Sequence, residues 1–312
     1  LGGGKVFINR KDKKMQLDLF SDNRANILLN IADEYLRAHD FDKALSTCEQ
    51  VREEYPENRQ VVKLCGLIQV WRSMIAGLDP FFCTPQQLEE MLDKLESVIH
   101  PPLRTAVMEM LVEYLRTIPE SDYIFLPPHF HLGHLLLRLG RFAEATASFR
   151  NALLSPDLER GRFLAWYADA MTLGGSGDDA ISLYLQAFLK DPATVDIEFI
   201  KHPQIRHLHQ HCSQNADGID DDGVSEWLPV WGWLQGVFPL PLQQPPDLDK
   251  LESQAFSKTM PTPRLWFESL TLAEHLRTIQ RDDRQMPAVR RLMKRLNEDM
   301  FECYMQKIRR TR

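Results

Sequence analysis

The feature that most constrains this chain is a duplication within Leu126–Pro192. The first copy reads LPPHFHLGHLLLRLGRFAEATASFRNALLSPD and the second GRFLAWYADAMTLGGSGDDAISLYLQAFLKDP. Aligned on Ala145 and Ala180, Leu132 falls over Tyr167, Gly133 over Ala168, Gly140 over Gly175, Phe149 over Tyr184 and Ala152 over Ala187, a constant offset of 35 residues. Each copy reads as two helices joined at its glycine. Gly133 and Ala168 permit close helix approach, and Gly140 and Gly175 can take the left-handed backbone that ends a helix. Ala145 and Ala180 belong where the second helix crosses the first. Phe149 and Tyr184 are long enough to fill the space beneath a following unit. One such hairpin cannot bury its apolar face alone, so neighbours must stack.

This combination resembles the tetratricopeptide (TPR) family: a small–x–x–large first helix, a Gly turn, an A-x-x-x-[FY]-x-x-A second helix and a closing Pro. The period is one residue longer than usual for that family. A third unit, Asn23–Asn58, places Ala32, Tyr35, Phe41, Ala44 and Pro56 on the family positions, with His39 at the turn glycine and Cys48 at the aromatic site. Ala44 and Ala145 are 101 residues apart, close to three periods. The intervening chain is helical without family identity: Arg59–Gly77, Gln86–Ile99 behind Pro85, and a helix from Pro101–Pro102 to Ile118. The resemblance implies an all-α, TPR-like helical-hairpin solenoid, closed by a helical C-terminal cap.

Beyond Pro192 the repeat pattern fades. Helix is expected within Val195–Cys212, a loop over Ser213–Ser225, and a short aromatic-rich helix over Glu226–Phe238. Pro239–Pro263 reads as an extended strap with a helical piece at Leu248–Phe256. Arg264–Gln280 and Pro287–Arg310 read as two closing helices. The expected division is a flexible tail at 1–20, a repeat domain at 21–213, the acidic, aromatic and Pro-rich segment at 214–263, and a helical hairpin at 264–312. Residues 1–14 read as a basic, unstructured extension ahead of Met15, with Ser21 or Asp22 capping the first repeat helix.

Composition excludes several classes. The net charge is −7, which argues against a protein that coats nucleic acid over its whole surface. Five cysteines, odd in number and without C-x-x-C, suit small core residues in a reduced, cytoplasmic chain. No apolar run reaches membrane-spanning length, and the first 20 residues lack a secretory pattern. H-E-x-x-H, G-x-S-x-G, Walker A and dinucleotide glycine patterns are absent. His202, His207, His209, His211 and Cys212 cluster, but HLHQH spreads alternate residues over opposite helix faces, so neither a metal nor a cofactor is expected. An enzyme site in the C-terminal third would centre there. Trp227, Trp231 and Trp233 read as cover for the open end of the stack. The tail from Arg281 is basic, but its acids interleave, so it reads as a solvated face before a nucleic-acid footprint.

The resemblance implies non-catalytic binding of a protein or peptide along a groove lined by the first helix of each unit. Its register points to Asn26, Asp33 and Arg37, then Phe130, His134 and Arg138, then Arg162 and Asp169. The family's clamp for chaperone carboxylates is not implied, because Leu29 and Asp33 stand where Lys and Asn would. A second resemblance is short. Gln16, Leu17, Asp18, Leu19 and Phe20 match all five positions of the peptide by which bacterial replication and repair proteins bind the DNA sliding clamp. Two readings are open: recruitment of a replication or repair accessory factor, or packing of Leu17, Leu19 and Phe20 as a cap on the first repeat.

Overall fold

The computed structural model describes residues 10–79, 82–156, 158–215, 221–280 and 284–310; at 10–23, 215, 221 and 222 it describes the backbone. Among the described residues the chain is all-α, with fifteen α-helices and one isolated antiparallel bridge, Leu126 to Phe130. No helix among them is long and apolar enough to cross a membrane. The fold divides into two compact units, Leu1–Leu139 and Gly140–Arg312.

The first unit contains α1 (Arg10–Arg37), α2 (Phe41–Glu54), α3 (Arg59–Ala76), α4 (Pro85–Glu96), α5 (Pro101–Thr117) and α6 (Leu132–Arg138). Local chemistry fixes where most of these begin. Asp40 caps α2 by accepting from the Lys43 amide, and Asn58 caps α3 by accepting from those of Gln60 and Val61. Thr84 and Gln87 form a reciprocal capping box on α4, ahead of Pro85. No helix begins at Ser21 or Asp22. α1 runs through both and through 16–20, whose side chains lie outside the described residues.

The turn register of the repeats holds at all three units. His39, Gly140 and Gly175 adopt φ of 57°, 75° and 92°, so the histidine takes the left-handed geometry that the other turns give to glycine. The second-helix positions are fully buried: Ala44, Ala145 and Ala180; Cys48, Phe149 and Tyr184; Val51, Ala152 and Ala187. The order of packing in the first unit departs from a regular stack. α1 packs on α2 and also on α5, α2 packs on α3, and α5 carries α4 and α6. His39 bonds Glu109 at 2.8 Å, tying the end of α1 to α5.

The second unit contains α7 (Phe142–Ala152), α8 (Arg160–Leu173), α9 (Gly177–Lys190), α10 (Pro203–Asn215), α11 (Asp221–Leu234), α12 (Leu248–Ser257), α13 (Thr262–His275), α14 (Met286–Leu296) and α15 (Glu298–Arg310). Phe149 meets Phe163 and Trp166 at centroid distances of 6.3 and 5.9 Å, filling the space between α7 and α8. One apolar core runs from Leu164 through Tyr184, Leu228 and Trp266 to Ile308, so the C-terminal helices share the core of the repeat hairpin. α11 is central, packing on α9, α10, α13 and α15. Trp227 is buried edge-on to Trp266, and Trp233 lies 6.0 Å from Tyr304.

Two expectations need correction. The helix expected over Pro287–Arg310 is broken at Asn297, which is extended and whose side chain accepts from the Met300 amide at 2.9 Å. That bond caps α15, so the asparagine ends one helix and starts the next. The loop expected over Ser213–Ser225 is shorter, because α10 reaches Asn215 and α11 starts at Asp221; residues 216–220 lie outside the described residues.

Gly161, at the start of α8, marks a close approach of backbone to backbone in the second unit. A Cβ there would stand 2.1 Å from the Asp191 carbonyl oxygen and 2.6 Å from Thr194 Oγ1. Gly66 in α3 meets nothing within 4 Å. Gly161→Ala should therefore destabilise by about 1–3 kcal/mol or more, while Gly66→Ala should stabilise by up to ~1 kcal/mol through helix propensity. Denaturant melts of the two variants test this sign difference.

Candidate functional site

The turn between α4 and α5 reads Glu96-Ser97-Val98-Ile99-His100-Pro101-Pro102. Paired prolines suit the first turn of a helix and bias the residue before them toward extended backbone, so α4 cannot run on into α5. Val98 turns into the core at 4% exposure, and Ile99 is left 93% exposed. His100 caps α5: its Nδ1 accepts from the Leu103 amide at 3.4 Å, which leaves Nε2–H to face Asp33 Oδ1 on α1 at 3.2 Å. Burial pushes the Asp33 carboxyl upward, opposed by His100 and then Arg37.

Charge gathers on the same turn. Glu96 forms an ion pair with Arg138 of α6 at 2.6 Å and accepts from Arg104 of α5 at 2.9 Å, one arginine on each carboxylate oxygen. Side-chain exposure is 21% for Arg138, 39% for Arg104 and 50% for Glu96. Arg37 is exposed at the end of α1. Three residues expected to face a groove, Asp33, Arg37 and Arg138, thus belong to α1 and α6, and two of them bind side chains of this turn. Asn26 is also exposed on α1.

The other expected groove residues are placed differently. Phe130 is 2% exposed, paired through its backbone to Leu126 ahead of α6. The first helix of this repeat is short, so His129 and His131 precede it instead of lying along it. His131 is its N-cap: Nδ1 accepts from the Gly133 amide at 3.0 Å and Nε2–H donates to the Asp122 carbonyl at 2.9 Å. Both nitrogens are committed to the neutral ring, and burial pushes its pKa down to about 4. His134 is half-buried and stacks on His129 at 5.3 Å. Burial, then repulsion from His129 and Arg138, pushes it down to about 3.

On α8, both expected groove residues hold the protein's own following segment. Arg162 pairs with Glu159, lies 3.3 Å from Asp196 and stacks over Trp166, while its amide donates to Thr194. Asp169 is 3% exposed and accepts from the Tyr184 hydroxyl and from the Lys201 amide at 2.7 Å. Burial pushes its carboxyl up to about 6. The reason is topological. After α9 the chain makes short 3-10 turns at Pro192–Thr194 and Ile197–Phe199 alongside α8, where a further repeat would place its first helix. Positions that a longer array would leave open become internal.

The remaining chemistry-bearing groups are structural or open to solvent. Among the described residues no group of three or more His, Cys, Asp or Glu side chains could hold a metal ion. Burial pushes the Cys48 and Cys212 thiols up to about 12, so both stay protonated in the core. Lys307 donates to the Trp233 and Leu234 carbonyls at 2.8 Å each, capping the end of α11, so the basic tail spends that charge internally. A wide hollow of mixed lining, about 900 Å³, borders α10, α11 and the 3-10 turns, with Val195, Ile197, Glu198, His209 and Glu226 on its walls.

With this geometry in hand, the comparisons with known proteins are specific about one region. Residues 130–193 match the tetratricopeptide repeat family. The matched tetratricopeptide segment covers α6 to α9, the stretch in which the duplication is clearest. No curated protein and no solved structure matches the chain significantly. Sequence reasoning missed Glu96, His100 and Arg104, because they lie in the part of the chain without family identity. The Pro101–Pro102 pair was the available signal for the turn; nothing in one sequence marks the two arginine contacts.

His131 generates a pH test. Its proton affinity is lower in the fold than in the unfolded chain, so its contribution is full above about pH 6.5 and is lost as pH falls toward 4. Asp169 acts with the opposite sign: its raised carboxyl disfavours the fold as pH rises from about 3.8 toward 6. His131→Asn keeps a capping carbonyl and removes the titration. Its stability should fall less steeply than that of the parent chain between pH 6.5 and 4, measured by denaturant melts at each pH.

Proposed function

We propose that this protein is a non-catalytic interaction scaffold that holds a protein or peptide partner on the α4–α5 turn of its first unit. Tetratricopeptide repeats generally mediate protein–protein contacts, and the repeat segment supports that class of function. The observation that carries the placement is the convergence of Asp33 and Arg138, both expected to face a partner, on a turn that also presents Ile99 at 93% exposure. An apolar side chain ringed by charged and polar groups is a common arrangement for a binding surface. Affinity capture with the parent chain and with Ile99→Asp tests it. Partners retained by the parent should be lost from the variant at unchanged melting temperature; identical retention would remove this face from consideration.

A second reading rests on the five-residue match at Gln16–Phe20, which favours recruitment to the bacterial sliding clamp and carries with it a bacterial, cytoplasmic setting. The backbone there continues α1, so capture as an extended peptide requires the start of that helix to unwind. Three apolar anchors at about 1.5–3 kcal/mol each, less the ordering cost, suggest micromolar affinity at best. Leu19→Ala with Phe20→Ala should abolish binding to purified clamp and leave the melting temperature unchanged. A destabilised double variant, with a parent chain that ignores clamp, would instead establish these residues as a hydrophobic cap.

A further inference from the structure

Glu96 is the carboxylate that both Arg104 and Arg138 pair with among the described residues. Each guanidinium offers five N–H donors and one full positive charge, so a single carboxylate leaves the pair with donors unused and a net charge of one. Neither arginine is bidentate on it. Arg138 is also the more enclosed of the two, so its charge is less screened than that of a fully exposed side chain. Glu96 itself sits at the end of α4, half in solvent, with these two arginines as its side-chain partners among the described residues. It fills the position of a carboxylate ligand without satisfying the site.

We propose that the paired arginines of α5 and α6 receive an acidic side chain of a bound peptide, with Ile99 of the α4–α5 turn, 93% exposed, as the apolar anchor. The inference rests on the scaffold reading above and adds the chemistry of the partner. A carboxylate entering between Arg104 and Arg138 would share or displace Glu96 and bring two acids to two bases. Charge-assisted bonds to planar guanidinium are the stronger class of polar contact, and Arg suits them better than Lys. Ile99 argues for a peptide over a free anion, because an isolated anion would leave that side chain in water. The ligand is therefore a segment in which acidic and apolar residues adjoin.

The test uses the full chain and a fluorescein-labelled peptide of alternating Glu and Leu, read by fluorescence anisotropy, with an alternating Lys-Leu peptide as counterpart. The Glu-Leu peptide should bind the parent chain. Arg104→Ala with Arg138→Ala should weaken it by about tenfold or more, and Ile99→Ser should weaken it as well. Glu96→Gln should tighten it, because the internal competitor loses its charge. Replacing both arginines by Lys keeps the charge and guards against a folding defect; it should bind between the parent and the Ala pair. Indifference of Glu-Leu binding to either the arginine pair or Glu96 would overturn the proposal. Displacement of the peptide by inorganic phosphate at matched ionic strength would do so too, since it would mark a simple anion site. Binding of Lys-Leu alone, lost in Ile99→Ser, would overturn the acidic assignment and leave the scaffold reading standing. Failure of both peptides would remove the two together.

Discussion

The second helix of each repeat meets one steric condition: a side chain no larger than methyl at a fixed, fully buried position. Ala44, Ala145 and Ala180 meet that condition, and none has any exposed surface. The pairs α1–α2 and α8–α9 pack together with Ala44 and Ala180 fully buried, and the residue four positions on then reaches the next layer. Phe149 does so against Phe163 and Trp166. Tyr184 does so while its hydroxyl satisfies Asp169. Packing at native density makes this a strict requirement, because interiors hold few voids into which a larger side chain could move. In the first unit the aromatic position is held by Cys48, a smaller side chain that is also fully buried.

That smaller side chain accompanies a change in neighbour order. α1 packs on α5 as well as on α2, and two histidine–carboxylate pairs tie the contact, His39 with Glu109 and His100 with Asp33. The consequence for function is local. The α4–α5 turn is brought against the end of α1 and the start of the chain's best repeat, and its polar side chains engage residues that a regular array would offer to a ligand. In the second unit the segment after α9 takes the same role toward α8, closing Arg162 and Asp169 inside. Both units therefore engage expected groove positions with their own chain, and in the first unit Ile99 stays exposed on the turn that does so.

The electrostatic character of the two closures differs for a physical reason. Asp169 is shielded from water and accepts bonds from a hydroxyl and an amide, so its carboxyl is governed by burial and titrates near pH 6. Glu96 is half in solvent and pairs with two guanidinium groups, one on each carboxylate oxygen. The first arrangement is framework, costly to disturb because an unpaired buried acid has no substitute partner. The second is exchangeable, because water and another carboxylate can each replace what is lost.

The sequence by itself determined the helical class, the hairpin register and the buried positions of the repeats. These follow from short-range rules: apolar spacing of a helix, a left-handed turn residue at His39, Gly140 and Gly175, and a small residue four places before a large one. It also located most helix starts, since caps and prolines act within one turn. Tertiary structure decided which helix follows which in space, and with it the fate of the groove residues. Phe130 and Asp169 carry the right register but are buried, while Glu96, His100 and Arg104 carry none and line the candidate site. Asn297 shows the same division at smaller scale: its side chain caps α15 where the apolar pattern reads straight through. Periodicity reports which face of a helix is apolar. Whether that face, or the polar one opposite, meets another part of the chain depends on contacts between residues far apart in sequence, and no local pattern encodes those.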